Sequence, residues 1–200
     1  MANQSKLTLI SAERSAAQLD FLSKESYKWL LQKIADIRNP SRIAAEVNRE
    51  GFRKVSRFIL GRLYCFYYDP KTKEDLPYYD RFPLVLILDR DKEGFTGLNL
   101  HYLPIRYRVA FLNKLMSYAM YNDEDEIKRL RVTYEILSSS KRFKEFRPCF
   151  KRYLYGHVKS KILAIQPNEW EVAVFLPMQQ FKKAKPQKVW QESINEIRKH

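Results

Sequence analysis

The spacing of apolar positions changes character along this chain of 200 residues, and the changes predict its elements. From Ser23, which can cap a helix, Tyr27, Leu30, Leu31, Ile34 and Ile37 recur at three- and four-residue steps. Asn39-Pro40 stops that helix, and a second helical segment runs near Ser41–Asn48 before Gly51. Residues 1–22 are weakly patterned. At Gly61 the period shortens. Leu63–Tyr68 is aromatic and strand-like, and Asp69-Pro70 ends it. A loop leads to Phe82–Asp89, an almost wholly apolar strand. Asp91–Gly94 makes a turn into a third strand, Phe95–Tyr102, closed by Pro104.

Helical spacing returns at Ile105, with Val109, Leu112 and Met116 on one face. The acidic run Asn122–Glu126 suits the start of another helix, and Arg131–Leu137 fits helix or strand. Pro148 suits the first position of a helix reaching about Ser160. Trp170–Leu176 predicts a fourth strand and Gln187–Lys199 a terminal helix. The expected class is α+β: a small antiparallel β core, for which an SH3-like barrel is one closure, flanked by N-terminal and C-terminal helices. Residues 1–60 form a helical N-terminal region. Residues 61–200 form an α+β domain, with the β core at 61–104 and a basic, mainly helical C-terminal half.

Charge sharpens this division. Residues 1–60 carry 11 basic and 6 acidic side chains, residues 61–104 carry 6 and 7, and residues 105–200 carry 20 and 10. Most of the net +14 therefore comes from the C-terminal half, and a field so lopsided favours a polyanionic partner. With 45% hydrophobic and 14% aromatic residues the chain can still build a core. No segment approaches the length of an apolar membrane span, no signal peptide is visible, and no basic amphipathic helix offers a clean apolar face. A membrane partner is not expected.

Catalytic chemistry finds little support. Cys65 and Cys149 are too few for a disulfide framework and fit a reducing compartment. The histidines are His101, His157 and His200, and none stands in a metal-binding spacing. There is no glycine-rich phosphate loop and no nucleophile elbow. Asp69-Pro70-Lys71 has the D-x-K shape of some nuclease sites, but the proline breaks the strand such sites need. The other acids of the neutral middle, Asp80, Asp89, Asp91 and Glu93, read as turn residues. No enzyme activity, cofactor, metal or small-molecule substrate is expected.

The densest signal is Lys141–Lys161, with eight Lys or Arg residues, one acid and five interleaved rings. Phosphates satisfy such cations, and the rings need a core or a base to stack on. Phe143, Phe146 and Phe150 read as core residues, because large apolar rings are usually buried. On a helix from Pro148, Lys151, Arg152, Tyr155 and Lys159 would lie at neighbouring spacings, opposite Phe150, Leu154 and Val158. The expected nucleic-acid-binding residues are Lys141, Arg142, Lys144, Arg147, Lys151, Arg152, Lys159 and Lys161. They suit phosphate contact more than base reading.

A resemblance gives this chemistry a setting. The strings Gly61–Tyr64, Tyr68–Lys71, Leu76–Val85 and Gly97–Pro104 resemble the DNA end protector family of T4-like tailed phages and their marine relatives. Phe146–Leu154 and Trp170–Pro177 are similar to that family too. The likeness covers roughly residues 60–192. It implies a virion protein that completes the filled head, sits on the ends of packaged double-stranded DNA and shields them from host exonuclease. Its partners would be duplex DNA and other virion proteins of the head, portal or neck. Its places would be the virion and the host cytoplasm. The resemblance carries over no catalytic or DNA-contacting residue. Two rivals remain: a structural neck, connector or baseplate protein that docks on virion proteins, and a metal-dependent nuclease acting through Asp69 or Asp89.

Overall fold

The computed structural model describes residues 53–55, 57–119, 144–165 and 169–199. The expected helices at 23–37 and 41–48, the acidic run at 122–126 and the segment 131–137 lie outside the described residues.

An antiparallel sheet of six strands forms the centre, in the order β1-β7-β2-β4-β5-β6. The strands are β1 (Arg53–Val55), β2 (Leu63–Cys65), β4 (Leu84–Arg90), β5 (Gly94–Asn99), β6 (Phe150–Leu154) and β7 (Ile162–Ile165). A two-stranded ribbon pairs β3 (Tyr79–Asp80) with β8 (Phe181–Lys182). The helices are α1 (Ile105–Ala119), α2 (Trp170–Phe175) and α3 (Pro186–Arg198). The α+β class and the antiparallel core are therefore as expected. The sheet ends at β1 and β6, which do not pair with each other among the described residues.

The central strands explain why the sequence reads as apolar without alternation. Leu84 to Leu88 are all buried, because both faces of β4 are covered. Leu63, Cys65, Leu84, Leu86, Leu98, Leu163 and Ile165 point to one side, where Phe111, Leu112, Val172–Leu176 and Val189 of the helices meet them. Tyr64, Phe66, Val85, Ile87, Phe95, Tyr153 and Ala164 point to the other, into an aromatic cluster closed by Phe58. Two features hold the register. A bulge between Ile87 and Asp89 ends the double burial, leaving Asp89 and Arg90 exposed. Gly97 lies so close to β4 that a Cβ there would collide with the Val85 side chain and the Leu86 carbonyl.

Two expected elements are corrected. No helix runs from Pro148 to Ser160. Pro148 lies inside a 3-10 segment, Lys144–Cys149, and Phe150–Leu154 forms the edge strand β6 against β5. Residues Phe150 to Leu154 satisfy both periods over so short a run. The open edge of β5 decides: Tyr153 lies opposite Phe95 with ring centroids 5.2 Å apart. Conversely, Trp170–Leu176 is not a strand but the short helix α2, buried except on Glu171. A short apolar run cannot be assigned by periodicity, and here the layer over the sheet takes it as helix. The third strand ends earlier than expected, at Asn99. Its side chain accepts from the His101 backbone N–H and opens a 3-10 turn, Leu100–Tyr102.

Candidate nucleic-acid interface

The predicted cations separate into groups. Lys141 and Arg142 lie outside the described residues, and Lys144 is described only as the start of its 3-10 segment. Arg147, Lys159 and Lys161 are exposed. Lys151 is not: its ammonium lies 4.2 Å from the centre of the Tyr102 ring, a cation–π contact, and burial lowers its pKa. Arg152 is exposed but pairs with Asp91 at 2.6 Å. The helix face expected to present Lys151, Arg152, Tyr155 and Lys159 together does not form. Neighbours alternate along β6, and a second 3-10 turn, Tyr155–His157, follows it.

The segment after that turn is tied to residues far away in sequence. Tyr68 forms an isolated bridge with Val158. The Lys159 N–H donates to the Tyr67 carbonyl at 2.7 Å, and the Tyr67 N–H to Ser160 Oγ at 2.8 Å. The Asp69 N–H donates to the His157 carbonyl at 3.0 Å, and His157 Nδ1 returns a bond to the Asp69 carbonyl at 2.8 Å. The Arg81 carbonyl accepts from Tyr68 N–H at 2.9 Å, and the Arg81 guanidinium lies 5.9 Å from the Tyr67 ring centre. The Arg81 N–H in turn donates to the Gln180 carbonyl, joining the β3–β8 ribbon, where Lys182 faces Tyr79. Exposed Lys71, Arg81, Lys159, Lys161 and Lys182 thus come from segments bonded to one another.

Some nearby charges are already committed. Asp69 accepts from Lys73 Nζ at 3.1 Å through both oxygens. The Lys183 ammonium donates to the carbonyls of Lys73, Glu74 and Leu76 at 2.7, 2.7 and 3.2 Å. It clasps the 73–76 loop while its own backbone takes the left-handed φ of 65°. Lys71, Arg81 and Lys182 were missed in the sequence because they stand outside the 141–161 block, Lys71 and Arg81 in the neutral middle and Lys182 in the short basic run before the terminal helix. Only long-range pairing brings them to Lys159 and Lys161.

Behind this surface lies a buried polar network. Asp80 Oδ2 is 2.6 Å from His101 Nδ1 and 3.3 Å from Asn99 Nδ2, while Oδ1 accepts from the backbone of Phe82 at 3.1 Å and Gln180 at 2.9 Å. Burial raises the Asp80 carboxyl, but His101 and these donors outweigh it and hold the pKa below the usual carboxylate value. Burial lowers the His101 pKa, so its neutral ring donates from Nδ1 to the Asp80 carboxylate. The Arg108 guanidinium donates to the carbonyls of Leu103, His101 and Val174, and Trp190 Nε1 also donates to His101 at 2.9 Å. Burial pushes the Arg108 pKa down to about 10, which leaves it charged at neutral pH. Asp80, His101 and Arg108 are sealed from solvent, so the network joins the ribbon, α1 and α3 rather than meeting a substrate.

Thiol chemistry is suppressed as well. Burial raises the Cys65 pKa and pushes Cys149 up to about 12, so neither offers a thiolate. Among the described residues no group of three or more His, Cys, Asp or Glu side chains could hold a metal ion. No described helix is long and apolar enough to cross a membrane.

A rigid antiparallel scaffold with exposed cations on its connecting segments, and a net charge of +14, defines a class: basic α+β proteins equipped for a polyanion. The family is specific. Residues 23–193 match the family described as Phage T4 terminal DNA protecting protein, and the chain belongs to that family. The match begins well upstream of the strings that carry the resemblance. No curated protein matches the chain, and no solved structure does.

Proposed function

We propose that this protein binds the ends of packaged double-stranded DNA, shields them from exonuclease and contributes to completion of the phage head. Family membership supports the DNA-end role. The observation that carries the proposed surface is the joining of the Arg81, Lys159 and Lys182 segments by backbone hydrogen bonds, with Lys71 and Lys161 close in sequence to bonded residues. Phosphate contact needs solvent-accessible cations, and these five are exposed. Arg147 is exposed as well, and Lys141, Arg142 and Lys144 remain candidate DNA contacts from the basic block. Lys151 and Arg152 contribute less, because Tyr102 and Asp91 already engage them.

The action is steric, not catalytic. A protein held on the last turn of a duplex blocks an exonuclease without breaking a bond. Asp69, the residue that most resembles a nuclease acid, is neutralised by Lys73. The virion, and the host cytoplasm during assembly and after injection, are the places where such a protein acts.

The test is exonuclease digestion of linear duplex DNA with the wild-type protein and with a variant carrying Arg81→Ala, Lys159→Ala and Lys161→Ala. The wild type should protect and the variant should not, while both keep the same far-UV circular dichroism. Full protection by the variant would overturn the surface. If six to eight cations engage, wild-type affinity should fall by roughly 10³–10⁴ between 50 and 200 mM salt. A flat salt response together with tight binding to other virion proteins would favour a neck or connector role instead.

A further inference from the structure

Phosphate contacts alone cannot tell a DNA end from the interior of a duplex, since both present the same backbone. What an end adds is the flat face of its last base pair. Among the described residues, the large apolar side chains that stand exposed are Ile59, at 42%, and Tyr155, at 37%. Tyr155 borders the buried Phe58 ring. Ile59 follows Phe58 in the chain, and the Tyr155 ring lies nearly parallel to Phe58, at 20° and 6.3 Å between centroids. Phe95 backs Tyr155 from 5.7 Å.

The ring is therefore exposed and also braced. Its turn is fixed by the Tyr155 N–H donating to the Glu93 carbonyl at 3.0 Å and the Val158 N–H donating to the Tyr155 carbonyl at 3.1 Å. Gly156 beside it faces open space: among the described residues no heavy atom beyond its chain neighbours lies within 4 Å of where a Cβ would stand. The Lys159 ammonium is anchored on the Gly156 carbonyl at 3.1 Å, placing a cation beside the ring. Asp89 and Glu93 are exposed on the adjoining hairpin together with Arg90 and Lys92, so acids and bases balance around the ring and Lys159 remains to meet a phosphate.

The geometry points to Tyr155 as the end-sensing residue: its ring stacks on the terminal base pair of duplex DNA, while Lys159 meets the terminal phosphate. This inference rests on the DNA-end reading above and supplies what the phosphate surface lacks, a contact that interior duplex cannot make. Stacking of one base on an aromatic ring is strong enough that Tyr155→Ala should weaken binding to a terminus about tenfold.

The test compares a blunt 30-base-pair duplex with the same duplex closed at both ends by covalent hairpin loops, which cover the terminal base pairs. Wild type and Tyr155→Phe should prefer the open duplex, and Tyr155→Ala should bind both alike. A 2-aminopurine at the terminal position should change fluorescence on binding wild type, and the same base placed internally should not. Retention of the full preference by Tyr155→Ala, or an unresponsive terminal 2-aminopurine with bound wild type, would overturn the inference. The fluorescence arm uses wild type alone and stands even if the alanine variant misfolds. Equal wild-type affinity for both DNAs sinks end sensing but leaves DNA binding standing, whereas binding to neither sinks the functional reading itself.

Discussion

Arg152 on β6 reaches across to Asp91 at the tip of the β4–β5 hairpin, with 2.6 Å between guanidinium and carboxylate. Asp91 also accepts from the N–H groups of Glu93 and Gly94, and these bonds with Arg152 lower its pKa. The pair is largely exposed and adds little to stability. Its effect is on the field, since it holds a cation of the basic block away from any phosphate. Asp91→Asn keeps the turn-forming acceptor and removes the charge. It should bind duplex DNA more tightly than wild type, with the log–log salt slope steeper by about 0.9 as Arg152 is freed. Salt titrations by fluorescence anisotropy check this, and an unchanged slope would count against it.

Lys151 makes the opposite case. Its ammonium is already over Tyr102, so it has little to offer a phosphate. Lys151→Met keeps most of the stem's packing and should leave DNA affinity within about twofold of wild type. Lys159→Ala should weaken it several-fold, and the same anisotropy assay ranks the two. A larger loss at Lys151 than at Lys159 would show that the strand edge, not the Tyr67 surroundings, meets DNA.

The Asp80–His101 pair predicts how stability depends on pH. The folded pKa of His101 lies below 6.5, so as pH falls the unfolded chain takes up its proton first. Stability should therefore begin to decline as pH drops through about 6.5. The folded pKa of Asp80 lies below 3.8, so its contribution is present above that value and is lost as pH falls through the folded one. Urea unfolding at pH 7.5, 6 and 5 reads the first stage, and His101→Gln should flatten the slope there. Wild-type stability that stays constant from pH 7.5 to 5 would contradict the burial argument.

Gly97 carries a packing prediction. A Cβ at this position meets both the Val85 side chain and the Leu86 backbone, and the backbone cannot yield as a flexible side-chain end can. Gly97→Ala should destabilise the fold by about 1–3 kcal/mol, measured by equilibrium denaturation. Gly156→Ala, in open space, serves as the control and should cost much less.

Local pattern alone identified the antiparallel strands from Leu63 to Asn99, the helix from Ile105 and the terminal helix near Pro186, because the strands are short apolar runs bounded by turns and the helices keep three- and four-residue spacing. It also identified the charge asymmetry and a family likeness that the match to residues 23–193 establishes. Short runs were different. Phe150–Leu154 and Trp170–Phe175 fit both periods, and their states were set by what lay beside them: an open strand edge for one, an uncovered apolar sheet face for the other.

The candidate interface divides the same way. Composition determined that this chain carries surplus cations, since charge is a property of the residues wherever they fold. Which cations are free was decided by tertiary contacts: Lys151 by Tyr102, Arg152 by Asp91, Lys183 by a loop of carbonyls. Arg81 and Lys182 joined Lys159 only through backbone pairing across large sequence separations. A one-dimensional reading can count charges, but neutralisation, burial and proximity are distances in space, and the fold alone sets them.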